Sequence, residues 1–63
     1  RDLLSNREIE ILKFISNGLS NQQISDKLHI SLNTVKAHIK NIFKKLNIER
    51  RTQVIQKQKE LNL

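Results

Sequence analysis

The chain contains no cysteine, which removes disulfides, thiolate nucleophiles and cysteine metal sites from consideration. The same lack permits an intracellular setting. It also has no proline, and Gly18 is its only glycine, so a fold rich in tight turns is excluded. Tryptophan, tyrosine and methionine are missing, and Phe14 and Phe43 are the only aromatics, so any core must be built from Ile, Leu and Val. No apolar run is long enough for a signal peptide or a membrane span. His29 and His38 are the only histidines and stand too far apart to suggest a metal or catalytic pair. With 63 residues there is room for one small domain and none for a buried substrate cavity. The chain opens on Arg1, and we expect it to be a piece of a longer protein.

What is abundant is positive charge, and it is unevenly placed. Twelve Lys and Arg against six Asp and Glu give +6. Residues 1–31 hold four of each sign, whereas residues 32–63 hold eight basic and two acidic side chains, so the whole excess lies in the second half. A concentrated positive surface fits an anionic partner, nucleic acid or anionic lipid, better than plain solvation, which usually interleaves the signs.

Apolar and polar residues never alternate over a strand's length, and the expectation is an all-α, compact four-helix domain. "LLSNREIEI" places Ser5 as an N-cap, Glu8 at the return position of a capping box, and Leu4 with Ile9 as a hydrophobic staple, opening helix one from about Asn6 to Asn17. Gly18 supplies its left-handed stop. "SNQQISDKL" repeats the device with Ser20 and Gln23, opening a short second helix that ends near Leu28 or His29 and has Ile24 and Leu28 on one stripe. Ser31 caps a third helix, Leu32 to about Leu46. A short helix, a brief turn and a longer helix outline a helix-turn-helix. Thr52 to about Leu61 reads as a fourth helix with Val54, Ile55 and Leu61 apolar, and Asn62 is available as its cap.

Helix three divides into two faces. Val35, Ile39, Ile42, Phe43 and Leu46 fall on one stripe that must meet the core. Asn33, Lys36, Ala37, Lys40 and Lys44 lie opposite, flanked by Thr34, His38, Asn41 and Lys45, with no acidic residue between Leu32 and Ile48. A merely solvated helix gains from Glu and Lys spaced four apart, and this face forgoes all such pairs. In a major groove the residues nearest base edges would be Asn33, Lys36, Ala37 and Lys40: lysine donates to guanine O6 and N7, and an alanine methyl packs on thymine. Lys44, Lys45, Arg50 and Arg51 would meet phosphates. Asn21 and Gln22, at the opening of helix two, suit either a phosphate clamp or capping alone, and Arg51 and Thr52 either position helix four or touch the DNA backbone. His38 reads as a packing or helix hydrogen-bonding residue and His29 as exposed at the turn.

The run from "LSNRE" through "GLSNQQIS" and "ISLNTVKAHIKNIFKKL" to "RTQ" resembles the LuxR-type helix-turn-helix DNA-binding domain, also called GerE-like, over nearly the whole chain. The resemblance implies a bacterial transcription regulator that binds double-stranded DNA and works in the cytoplasm, nucleoid-associated when bound, without enzymatic activity, cofactor or metal. It implies that helix three enters the major groove with base contacts on Lys36, Ala37 and Lys40, and phosphate contacts on Asn21, Gln22, Thr34 and Lys44. It also implies a homodimer through helix four, which here places the contact on Val54, Ile55, Gln58 and Leu61, and RNA polymerase is a further candidate partner. Three departures stand out: Ser25 for a usual alanine, His29 for an apolar or aromatic residue, and "NIERR", with Asn47 for glycine and Arg50 for a capping serine. The last leads us to expect a less well capped fourth helix. The tail looks more like that of large ATP-binding regulators of the maltose-regulator type than that of two-component response regulators. Three rivals compete with this reading. A sigma-factor-like promoter-reading domain shares the outline, and a basic helical module could bind an acidic protein or anionic membrane. The third, an enzyme, has no nucleophile, base or metal constellation behind it.

Overall fold

A computed structural model describes residues 3–60, apart from the side chain of Gln58. The described residues form α1 (Asn6–Ser16), α2 (Asn21–Leu28), α3 (Leu32–Leu46), a 3₁₀ turn (Arg51–Gln53) and α4 (Val54–Glu60), with no strand among them. The four-helix, all-α architecture is thus as expected.

Local chemistry starts the first three helices. Ser5 Oγ accepts from Glu8 N at 3.1 Å while Glu8 Oε1 accepts from Ser5 N at 2.8 Å, and Ser20 and Gln23 repeat the exchange at 3.1 and 2.8 Å. Ser31 Oγ accepts from Thr34 N at 3.1 Å. Each box satisfies main-chain donors that the first helical turn leaves without partners.

The same three helices stop alike. Gly18, His29 and Asn47 follow α1, α2 and α3 with φ of 86°, 57° and 55°. After each, an apolar residue turns its N–H back onto the helix: Leu19 N to Phe14 O at 3.1 Å, Ile30 N to Ser25 O at 3.2 Å, and Ile48 N to Phe43 O at 3.0 Å. This is the Schellman closure, which needs one left-handed residue and rewards an apolar one after it. Glycine adopts that conformation freely, asparagine and histidine at a modest steric cost. Asn47 therefore supplies the left-handed cap of α3 without a glycine, and His29 is fixed at the turn by its backbone as well as being exposed.

Ile11, Leu12 and Ile15 from α1, Ile24 from α2, Val35, Ile39 and Ile42 from α3, Ile48 from the following turn and Val54 from α4 form one buried cluster. Leu4, Phe14, Leu19, Leu28, Ile30, Phe43 and Leu46 pack on its edges, so Phe43 and Leu46 are half-buried rather than central. α2 packs on α3, and α1 packs on both α3 and α4.

The beginning of helix four differs from the expectation. Arg50 has no acceptor with which to cap it. Gln53 Oε1 instead takes the N–H groups of Glu49 and Arg50, at 2.7 and 2.9 Å, which folds residues 51–53 into a 3₁₀ turn and delays the α-helix to Val54. Helix one likewise ends at Ser16, with Asn17 as its cap. Leu61 and Asn62 lie outside the described residues.

Candidate nucleic-acid interface

With Val35, Ile39 and Ile42 fixed in the core, the geometry of α3 leaves Asn33, Lys36, Ala37, Lys40 and Lys44 exposed on one side, with Thr34 and Asn41 exposed beside them. Among the described residues no ion pair or side-chain hydrogen bond engages Lys36, Lys40 or Lys44. Successive members of that row sit about 6 Å apart along the helix axis. Like charges four residues apart on a helix repel by about 0.2–0.5 kcal/mol per pair, which the fold leaves uncompensated and an anion would relieve. Thr34 Oγ1 lies 2.8 Å from Ser31 Oγ, which fixes its hydroxyl at the opening of the helix. His38 is half-buried on the flank.

Four expected contacts look different in the structure. Lys45 differs from the row: its Nζ donates to Glu8 Oε1 at 2.8 Å and to the Leu3 carbonyl at 3.2 Å, so its charge is paired within the domain. Arg51 is engaged similarly, with Nη1 donating to Asn21 Oδ1 at 2.7 Å and Nη2 to the Leu19 carbonyl at 2.6 Å. These bonds tie the turn before α4 to the start of α2. Gln22 is exposed, but its Nε2 is shared between Ser25 Oγ at 3.2 Å and Asp26 Oδ1 at 3.1 Å within α2. Val54 is fully buried in the domain's own core and has no surface for a partner. Ile55, 51% exposed, is the apolar residue that α4 presents outward; the side chain of Gln58 and all of Leu61 lie outside the description. Ser25 is buried, and its hydroxyl donates to the Gln22 carbonyl at 2.8 Å, so the departure from alanine brings no unsatisfied polar group into the α2–α3 contact.

Glu8 is the acidic residue whose second role the sequence concealed. At 5% exposure it completes the capping box and also holds Lys45, 37 positions away. Burial raises its pKa, and the hydrogen bond from Lys45, the backbone hydrogen bond from Ser5 and the Lys45 charge more than offset this, leaving it below the ordinary 4.5. A carboxylate depressed on folding stabilises the domain above its unfolded pKa, and this stability is lost as pH falls through 4.5 toward the lower folded value. In melting curves taken from pH 7 down to pH ~2.5, the chain should lose stability over that window. Glu8→Gln, which can still cap as Gln23 does in α2, should start from a lower melting temperature at pH 7 and show a flatter acid limb. Equal acid limbs would remove Glu8 from the account.

Among the described residues no group of three His, Cys, Asp or Glu side chains could hold a metal, and no helix is long and apolar enough to cross a membrane.

Comparison with known proteins agrees with this geometry. The model of the family described as bacterial regulatory proteins, luxR family, matches residues 2–57. The response regulator protein VraR of Staphylococcus aureus (strain NCTC 8325 / PS 47) is 46% identical over 54 residues, which is 86% of this chain and 26% of VraR. VraR of Staphylococcus epidermidis matches with the same identity and coverage. The crystal structure of response regulator ChrA in a heme-sensing two-component system superposes with a TM-score of 0.92 at 45% identity, covering 98% of this chain and 31% of ChrA. The chain thus spans about a quarter of the length of the curated relatives it matches. Those relatives are described as response regulators. Fold, landmarks and matches agree: the chain belongs to the luxR family of bacterial regulatory proteins.

Proposed function

We propose that this domain binds double-stranded DNA to regulate transcription, with the first half of α3 in the major groove. The observation that carries the reading is the exposed, acid-free row of Lys36, Lys40 and Lys44 on a helix whose other side is locked in the core. In this arrangement Asn33, Lys36, Ala37 and Lys40 face base edges, while Lys44, Thr34 and the Asn21 amide meet backbone phosphates. Two copies meet through α4, where Ile55 is the exposed apolar residue, so that each α3 occupies one half-site. The role is that of a binding module without enzymatic activity, acting in the cytoplasm on the nucleoid. A membrane or acidic-protein partner would use the same charge but has no need of a helix presented across a capped tight turn.

Selection from a random duplex pool tests the reading. The expected product is an enriched pseudo-palindrome whose half-sites lie about one helical turn apart, bound with an affinity that falls steeply as salt is raised. A pool that shows no enrichment, together with tight binding to vesicles of anionic lipid, would establish the membrane alternative instead.

A further inference from the structure

Arg51 joins the end of the domain's fold to the start of its helix-turn-helix. Its guanidinium reaches the Leu19 carbonyl and Asn21 Oδ1 at 2.6 and 2.7 Å, across 32 and 30 positions of sequence. Arginine carries donors only, so the atom of Asn21 that faces it has to be the amide oxygen. The amide NH2 is therefore held on the side away from Arg51, and among the described residues it makes no hydrogen bond.

The identity of residue 21 sharpens the point. It is the first residue of α2, where an aspartate would be favoured twice, by the partial positive charge of the helix start and by direct pairing with Arg51. An amide there forgoes both gains. It keeps the oxygen that Arg51 needs and leaves a donor, not a second acceptor, on the other arm of the amide, which suits an anion. Asparagine also avoids the repulsion that a carboxylate would impose on that anion.

We propose that Arg51 is a positioning residue for DNA binding, holding the Asn21 side chain in the orientation that offers its NH2 to a backbone phosphate. The inference rests on the DNA-binding reading above, and it gives Arg51 a part in binding without contact with the DNA.

The test uses the 63-residue chain, a duplex chosen by pool selection and a random-sequence duplex of equal length. Asn21→Asp should melt at or above the parent's temperature, because the carboxylate pairs with Arg51, and yet bind both duplexes about tenfold more weakly or worse. A purely structural Asn21 would not separate the two readouts in this way. Arg51→Lys, whose single ammonium cannot span both acceptors in the same geometry, should weaken binding to both duplexes by a smaller factor while circular dichroism shows the helices intact. In the parent, the side-chain amide NMR signals of Asn21 should shift when duplex is added. Parental affinity in Asn21→Asp, unmoved amide signals, or a folded Arg51→Lys that binds like the parent would each overturn the proposal. A parent that binds neither duplex would overturn the DNA-binding reading itself, and that failure is visible before any variant is made.

Discussion

Lys45→Ala should lower the melting temperature by roughly 10–20 °C, while Lys44→Ala, one residue earlier, should leave it nearly unchanged. The contrast follows from where the two ammonium groups go. Lys44 is exposed and unengaged among the described residues, so truncating it falls in the small range of ordinary surface changes. Lys45 holds Glu8, which is 5% exposed, at 2.8 Å. Removing it leaves a buried carboxylate without its cation, a defect that costs about 3–5 kcal/mol when both partners are fully buried. The Lys45 side chain is 28% exposed, so water can reach part of the site and about 2–3 kcal/mol is the better figure. For a chain of 63 residues that is a large fraction of the whole stability. The DNA readouts should divide the other way. Lys44→Ala weakens binding to all sequences alike and reduces the salt slope by about one. Lys45→Ala, measured cold enough to remain folded, keeps the parent's slope. If Lys45→Ala melted like the parent and lost a unit of salt slope, Lys45 would be a phosphate contact after all.

That pair of lysines also marks the boundary of what the sequence makes legible. Features set within one helical turn can be read directly. The Ser5–Glu8 and Ser20–Gln23 boxes, the Ser31 cap, the Gly18 stop and the span of α3 all depend on neighbours three or four positions away, and all stand where expected. The two faces of α3 are equally local, because periodicity alone separates Val35, Ile39 and Ile42 from Lys36, Lys40 and Lys44. What escapes is whatever depends on distant chain segments meeting. Nothing in "KKL" distinguishes Lys44 from Lys45 until Glu8 arrives beside one of them, and nothing in "RRT" says that Arg51 will reach Leu19 and Asn21. Val54 reads as a free apolar residue on a short helix, and only the packing of α4 on α1 consumes it. One missed signal was present. Leu19, Ile30 and Ile48 each follow a left-handed residue directly, and that pattern would have placed Ile48 in the core despite the polar run around it.

Lys36→Ala should weaken binding to the selected duplex by roughly 10–100-fold while leaving binding to a random duplex little changed, as expected if its donors are spent on base acceptors. Helix stability gives a reason to trust such a loss. Alanine is at least as good a helix former as lysine, and the change removes a like charge four residues from Lys40. The variant should therefore melt at or above the parent's temperature, and weaker binding cannot be ascribed to unfolding. Ala37 lies beside Lys36 on the same exposed face, and in the proposed docking its small side chain would let the helix backbone approach the bases closely enough for a lysine to reach them. Repeating the pool selection with Lys36→Ala should relax preference at one position of each half-site, with guanine the base most often released, and leave the half-site spacing untouched. In the proposed dimer the spacing would depend on how two copies meet through α4, away from Lys36. A variant that selected the parent's sequence with the parent's affinity would place base reading elsewhere on α3, with Lys40 and Asn33 the next residues to replace.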